Sequence, residues 1–187
     1  LIVLDMLRQG EEAAALKEAL ELAKDGPDNP TTANLLAGIY VARGDLKSAR
    51  EYLEPALAKG PDRVGLQRTM DRIDIAEGKF DAVEARMRAA IAADPADEAA
   101  VLRLAQFMAY RNRLSEALAL VQAKAAELPK SVALRQTLIR FYLSKVNTAA
   151  ARAVAKEALE IGKAGQPGGL LLAGDSFAAL KDFPAAI

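Results

Sequence analysis

The sequence of 187 residues contains no cysteine, no histidine and no tryptophan. Without cysteine, the chain has no disulfide, no thiolate metal ligand and no thiol nucleophile. Without histidine, it lacks the commonest general base and the commonest metal ligand of proteins. These absences argue against an enzyme and a metalloprotein. We therefore expect no catalytic residue, no metal site and no cofactor.

Aromatic residues make up only 5% of the chain, and this scarcity disfavours a β-sandwich or a β-barrel. The 25 lysine and arginine residues balance 25 aspartate and glutamate residues, so no net charge draws the chain to nucleic acid or to an anionic membrane. No segment approaches the roughly 20 apolar residues that span a bilayer. A hydrophobic content of 52% and an abundance of alanine and leucine instead predict a folded, helical protein.

Both ends of the sequence resemble parts of helices. The chain begins LIVLDMLRQG, without an initiator methionine or a basic leader, and it ends KDFPAAI, which is typical of the first turn of a helix. We therefore expect a fragment of a longer protein. Its apolar ends are predicted to be sticky and to support end-to-end pairing with a second copy.

A repeat dominates what the sequence does contain, because three kinds of position recur every 34 residues. Glycine or asparagine can take the left-handed conformation that closes a helix, proline ends one, and a small residue lets two helices approach closely. Three positions with separate mechanical roles and one period predict repeats of two antiparallel helices. The positions are Gly10, Gly44, Gly78 and Asn112; Pro27, Pro61, Pro95 and Pro129; and Ala15, Ala49, Val83, Ala117, Ala151 and Ala185.

The repeat predicts where each helix lies. Helix pairs are expected at 31–43 and 46–59, 65–77 and 80–93, 99–111 and 114–127, and 133–144 and 148–162, with single helices at 11–25 and 168–180. The repeat units are then 30–63, 64–97, 98–131 and 132–165, with partial units at 1–29 and 166–187.

The late units lack the glycine and the proline that mark the helix ends in the earlier units. Val146 holds the expected glycine position, and Lys163 holds the expected proline position. Leu172 and Ala173 lie four periods after Leu36 and Ala37, which predicts that the register survives. The loop GKAGQPGG is predicted to be the weakest joint and a mobile site.

The segment NLLAGIYVARGDLKSAREYLEPALAKGPD resembles a tetratricopeptide repeat, although the family's signature tryptophan is absent. The resemblance implies an all-α fold, a right-handed α-solenoid or superhelix of antiparallel helix pairs, in a single array of about five and a half 34-residue repeats. The residues that fall on the family's signature positions are Leu36, Ala37, Tyr40, Gly44, Ala49, Leu53, Ala56 and Pro61.

Stacked repeats would bury a continuous apolar core. Asp71 and Asp74 replace the usual small and aromatic residues of their unit, so packing there is in question. We expect both to be paired with Arg68, Arg72 or Arg103, or solvated, and not to act as catalytic carboxylates. The predicted core comprises Leu36, Tyr40, Leu53, Leu57, Ile73, Met87, Ile91, Leu104, Met108, Leu118, Val121, Leu138, Tyr142 and Val154.

A narrower resemblance concerns the order of PDNPTTANLLAGIYVARGDL, RIDIAEGKFDA, RFYLS and LLLAGDSFAALKDFPAAI, which is similar to the large tetratricopeptide-repeat lipoproteins of bacterial exosortase (PEP-CTERM) systems. Those systems accompany exopolysaccharide production and the sorting of proteins to the cell surface. The resemblance implies a periplasmic or outer-membrane-anchored protein whose only membrane contact is a lipid anchor outside this sequence. A cytoplasmic protein is the alternative.

In tetratricopeptide arrays, the first helices of successive units line a concave groove that binds peptides. The resemblance places a mixed polar groove with several arginines here, and arginine suits carboxylate recognition. The alternative is that these are solvated charges on exposed faces. The predicted groove residues are Asn34, Arg68, Arg72, Arg103, Gln106, Tyr110, Gln136 and Arg140, with Leu102 and Ala109 among their inward neighbours.

Two functions follow as hypotheses. The first is a non-enzymatic interaction scaffold that binds a peptide or protein in the groove, as part of an envelope protein-sorting or exopolysaccharide export system. The second is a module of an export machine that binds an anionic polysaccharide. Sugar sites usually offer several aromatic platforms, and only Tyr110 is expected on the inner face, so the first hypothesis is preferred.

Overall fold

The structure is a computed structural model that describes residues 2–26, 29–60 and 64–182, and within these ranges it contains helices and turns but no strand. The predicted helix bounds agree with those of the structure to within one residue at each end. The helices are α1 (Ile2–Arg8), α2 (Glu12–Asp25), α3 (Pro30–Ala42), α4 (Leu46–Lys59), α5 (Val64–Ala76), α6 (Phe80–Ala93), α7 (Glu98–Tyr110), α8 (Leu114–Glu127), α9 (Val132–Ser144), α10 (Thr148–Lys163) and α11 (Pro167–Ala179).

Inside α6 the chain divides into two compact units, Leu1–Val83 and Glu84–Ile187, called unit 1 and unit 2 here. That the repeats form one continuous array, with a right-handed superhelical course, stays a prediction. The predicted roles of Pro27, Pro61 and Ala185 fall outside the described residues.

In unit 1 each second helix packs on the first helix of its own pair and on the first helix of the next pair. Thus α4 contacts both α3 and α5, while α3 and α5 also contact each other. This is the packing that buries apolar stripes between neighbouring repeats. Leu36 and Leu53 are fully buried in it, together with the small residues Ala15 and Ala49, which lie at the predicted positions of close approach.

Unit 2 repeats the arrangement. Its helix α8 contacts α7 and α9, α10 contacts α9 and α11, and the first helices α7, α9 and α11 are neighbours in turn. Leu104, Leu138 and Val154 belong to one apolar cluster, against which Met87 and Ile91 of α6 pack. All fourteen predicted core residues lie in or against the apolar clusters of the two units.

The turn inside each helix pair uses one left-handed residue, as predicted. Gly10, Gly44, Gly78 and Asn112 have φ between 60° and 80°. Val146 takes the same conformation, with φ of 56°, although a β-branched residue is ill suited to it. The residue after each turn donates its backbone N–H five residues back, as in Asp45 to Tyr40 (2.9 Å), and so satisfies a carbonyl at the helix end.

The predicted register does not survive into the last unit, where the spacing is 35 residues. Helix α11 begins at Pro167, 35 residues after α9 begins at Val132, and the left-handed residue is Lys181, 35 residues after Val146. The cause lies in α10, which has 16 residues where α8 has 14. Because Lys163 stands where a proline would have stopped the helix, α10 continues through it.

The predicted weak joint is instead a place of very close helix contact. A Cβ atom added to Gly169 of α11 would lie 2.5 Å from the carbonyl oxygen of Ala158 and 2.6 Å from the backbone nitrogen of Gly162. A Cβ atom on Gly162 would lie 2.5 Å from the backbone nitrogen of Leu170. Two glycines therefore let α10 and α11 touch backbone to backbone. Mobility of the loop between them stays a prediction.

Ion pairs join successive helix pairs in unit 2 at one repeat position. Arg113, at the start of α8, bonds Glu84 of α6 with an Nη1–Oε2 distance of 2.5 Å. Two repeats later, Arg152 of α10 lies 3.3 Å from the carboxylate of Asp182, with the charges exchanged between the two sides. Each pair ties one second helix to the turn of the following repeat.

Some apolar side chains near the ends of the described chain are exposed. Ile2 and Leu4 of α1 and Leu171 of α11 face solvent. The segment FPAAI, the other apolar end that was predicted to pair with a second copy, lies outside the described residues. End-to-end association therefore stays a prediction.

Candidate functional site

In unit 1, one predicted groove residue is part of the helix packing. The Thr69 hydroxyl of α5 donates to the Asn34 side-chain oxygen of α3 over 2.6 Å. Thr69 is buried and Asn34 half-buried, so this bond fixes two successive first helices against each other. The side-chain oxygen of Asn34 thus accepts a hydrogen bond inside the protein and is less available to a ligand.

Arg68 and Arg72 are exposed and lie one helical turn apart on α5. Within the described residues neither arginine forms an ion pair. Two exposed guanidinium groups at this spacing can reach the same anionic ligand. They are the basic part of the predicted groove in this unit.

The carboxylate of Asp74 is buried, which the sequence analysis did not predict. Arg50 of α4 donates to it over 2.6 Å and also bonds Glu77 over 2.6 Å. The hydrogen bond to Asp74 is the main cause of the raised pKa of Arg50. Asp74 is therefore part of a structural network centred on Arg50 and is not solvated. The prediction had not included Arg50 among its possible partners.

Unit 2 contains a cleft between α7, α8 and α9, with a volume of about 130 Å³. Nine of its twelve lining residues are apolar, and the other three are Gln106, Thr137 and Arg140. The structure thus brings together Gln106 of α7 and Arg140 of α9, two of the predicted groove residues, around one opening. The apolar lining consists of Leu102, Ala105, Ala109, Leu114, Ala117, Leu118, Val121, Leu138 and Phe141.

Arg140 is exposed, and within the described residues it has no ion pair. Gln106 is exposed as well. An arginine and an amide beside an apolar cleft give an amphipathic opening that can hold an apolar group and contact an attached polar one.

The remaining predicted groove residues do not line the cleft. Arg103 is half-buried and lies 3.6 Å from the carboxylate of Asp97, so its charge is partly neutralised. Tyr110 is 64% exposed at the end of α7, and Gln136 is exposed on α9. Tyr110 offers an aromatic face to solvent, and its place in a binding groove stays a prediction.

The apolar cleft itself was missed by sequence reasoning. Leu118 and Leu138 were assigned to the core, where they do pack, but they also form walls of the cleft. The available signal was Ala109, three residues after Gln106 on α7, because a small residue there leaves room between helices.

The ionisable groups with shifted pKa values include those of the ion-pair networks. The pKa of Glu84 is lowered, first by its hydrogen bond from Arg113 and then by that from Arg88. The pKa of Glu116 is also lowered, mainly by its hydrogen bond from the Arg113 guanidinium. These shifts arise from ion pairs within and between helices and do not mark a reactive group.

Among residues 2–26, 29–60 and 64–182, no group of three or more acidic side chains could hold a metal ion. The same ranges contain no helix long and apolar enough to cross a membrane.

The family model described as tetratricopeptide repeat matches residues 6–70. No curated protein matches the chain. Solved structures of tetratricopeptide-repeat proteins resemble it over most of its length, including a thermophilic TPR protein of Thermus thermophilus, with 19% identity, a TM-score of 0.54, and coverage of 95% of this chain and 96% of that one.

Two further structures show a similar likeness. PilW, a type IV pilus biogenesis factor, is 20% identical with a TM-score of 0.56, covering 99% of this chain and 86% of its own. MamA (41-end) from Desulfovibrio magneticus RS-1 is 18% identical with a TM-score of 0.53, covering 87% of this chain and 90% of its own. At these identities the likeness shows a shared tetratricopeptide-repeat fold, so the predicted all-α fold of antiparallel helix pairs is confirmed.

Proposed function

We propose that this protein is a non-enzymatic interaction scaffold that binds a peptide segment of a partner protein on the exposed faces of its first helices. The observation that carries the proposal is the cleft of unit 2, where Gln106 and Arg140 lie beside an apolar opening between successive repeats. The exposed pair Arg68 and Arg72 provides a second contact area in unit 1. Both lie on first helices, which form the binding surface in stacked helical repeats.

Binding is favoured over catalysis because the chain lacks the groups that catalysis usually needs. It has no histidine or cysteine, and the buried Asp74 is held by Arg50. An arginine and an amide beside an apolar cleft suit recognition, since neither is a general base or nucleophile at neutral pH.

The cellular role within this proposal is envelope protein sorting or exopolysaccharide export, in the periplasm or at the outer membrane. Its support is the sequence resemblance to the lipoproteins of exosortase systems. Fractionation of the source cells, with an antibody against this chain, tests the compartment. Recovery in the cytosolic fraction would contradict this role and leave the scaffold function untouched.

Binding of an anionic polysaccharide is the second candidate function. Besides the exposed Tyr110, Phe141 lines the cleft, so unit 2 offers two aromatic side chains to such a ligand. Affinity electrophoresis in gels containing alginate, used as a model anionic polymer, tests this candidate. Retardation of the wild-type protein that is lost in the variant Tyr110→Ala would favour the polysaccharide over a peptide.

The scaffold itself is tested by selecting a phage-displayed library of random peptides on the full chain. Enriched peptides are then titrated against the wild type and against the double variant Arg68→Glu/Arg72→Glu. We expect enrichment, and weaker binding to the double variant for peptides that contact unit 1. The matched control is Lys17→Glu/Lys156→Glu, which makes the same charge change on second helices α2 and α10. Absence of any specific peptide would overturn the proposal.

A further inference from the structure

We propose that the cleft of unit 2 is a subsite for one bulky apolar side chain (leucine, isoleucine or phenylalanine) of a linear peptide that carries an acidic group beside it. This inference rests on the proposed function and specifies its ligand. Its two parts, the apolar anchor and the adjacent carboxylate, come from separate features of the cleft.

The size of the cleft determines which side chain it can hold. Its volume of about 130 Å³ is close to that of engineered apolar cavities of roughly 150 Å³ that bind a benzene molecule. Such a space accepts one aliphatic or phenyl side chain. Pockets for whole small-molecule ligands are larger, about 300–1,000 Å³, so a single side chain matches the size of this cleft better.

The lining of the cleft agrees with this occupant. Leu102, Leu118 and Leu138 form apolar walls from three different helices. An apolar side chain placed among them leaves water without forcing any protein polar group to lose a hydrogen bond. A polar side chain would be unfavourable there because only Gln106, Thr137 and Arg140 could pair with it.

Charge determines what lies next to the anchor. None of the twelve lining residues is acidic, while Arg140 is exposed and without an ion pair in the described part of the chain. A carboxylate on the ligand would therefore meet a free guanidinium fork and no repulsion from the lining. A basic residue at that position would meet Arg140 as a like charge, which gives the site its selectivity.

A linear peptide fits these features better than a folded partner. One side chain fills the opening, and the exposed face of α7 beyond it, with Tyr110 at its end, offers a surface for the adjoining peptide backbone. A second copy of this chain is the other possible occupant, and the experiment below separates the two.

The experiment uses the peptides enriched from the random library, labelled with fluorescein and titrated by fluorescence anisotropy. We expect them to share a leucine, isoleucine or phenylalanine next to an aspartate, a glutamate or a C-terminal carboxylate. The variant Ala109→Leu fills the cleft and should raise the Kd at least about tenfold, whereas Ala126→Leu, the same change at an exposed site on α8, should leave it unchanged.

Charge reversal tests the second part. Arg140→Glu should weaken binding by about tenfold, and a peptide in which lysine replaces the acidic residue should bind this variant better than it binds the wild type. Lys156→Glu, an exposed reversal on α10, is the control. Circular dichroism melting of every variant establishes that the fold is intact, and restored binding by the lysine peptide excludes misfolding as the cause.

The possible outcomes distinguish failure of this inference from failure of the proposed scaffold function. Enriched peptides that lack the apolar–acidic pattern, or that bind Ala109→Leu and Arg140→Glu as tightly as the wild type, overturn the inference and leave the scaffold function standing. No enriched peptide at all overturns both. If light scattering shows dimers that Ala109→Leu converts to monomers, the cleft is an interface between copies and the peptide inference is wrong.

Discussion

Arg50 and Asp74 form an ion pair between successive repeats, with a distance of 2.6 Å from the guanidinium to a carboxylate whose side chain is only 4% exposed. The same position one repeat earlier and one and two repeats later holds Tyr40, Met108 and Tyr142. An acid therefore stands where the fold elsewhere packs apolar groups, and a cation from the neighbouring helix makes this possible.

Removing one partner of this pair should destabilise unit 1. Asp74→Asn leaves the Arg50 guanidinium without its buried partner, and we expect a loss of about 3 kcal/mol in the free energy of unfolding measured by urea denaturation. Glu51→Gln, which removes an exposed carboxylate 3.9 Å from Lys47, should cost less than about 1 kcal/mol. Equal losses in the two variants would contradict the structural role of Asp74.

The contact between α10 and α11 should not tolerate side chains at its two glycines. In Gly169→Ala and Gly162→Ala the new methyl group would overlap backbone atoms, so the helices must separate at a cost of about 1–3 kcal/mol. Thermal melting followed by circular dichroism measures this. Gly168→Ala is the control, because its Cβ would meet nothing closer than 3.9 Å, and it should be neutral or slightly stabilising.

Val146 should be a site where one substitution stabilises the protein. The residue has φ of 56° and is 82% exposed, so it carries backbone strain and contributes little packing. Val146→Gly should raise the free energy of unfolding by about 1 kcal/mol, as seen in the midpoint of urea denaturation. The reverse change at the equivalent turn, Gly44→Val, should lower it, and an unchanged midpoint in both would show that the turns carry no strain.

Lowering the pH should decrease the stability of unit 2, because protonation of Glu84 removes its ion pair with Arg113. Pairing with Arg113 lowers the pKa of Glu84 below its ordinary value of 4.5, so its stabilising effect is complete above pH 4.5 and is lost as the pH falls through the lower, folded-state pKa. The melting temperature of Glu84→Gln should therefore fall less than that of the wild type between neutral and acidic pH. Glu160→Gln, at an exposed site, should follow the wild-type profile.

The helices could be predicted from the sequence because glycine and proline act locally. A left-handed residue closes a helix whatever lies around it, so Gly44 and Gly78 mark turns without any knowledge of tertiary contacts. The 34-residue period, unlike the helix bounds, failed in the last unit. Lys163 carries no stop signal, and the added length of α10 moved α11 by one residue.

The interactions between repeats could not be predicted in the same way. Arg50 and Asp74 are 24 residues apart, and a linear pattern does not show that their side chains meet between α4 and α5. The cleft of unit 2 depends on the space left by three helices together, which no single periodicity reports. Gln106 and Arg140 were named from the sequence as groove residues, but the apolar opening that both of them line was not predicted.

The exchanged charges of the two ion pairs in unit 2 disfavour an exchange of partners between these two junctions. If α6 were to dock on the turn that contains Asp182, Glu84 would face another carboxylate, and Arg152 docked beside Arg113 would face another guanidinium. Repeats built on the same helix-pair plan resemble one another in shape, so like charges add a barrier to such mispairing. An engineer who deletes or shuffles repeats in this chain should therefore match the polarity at any new junction that includes one of these two pairs.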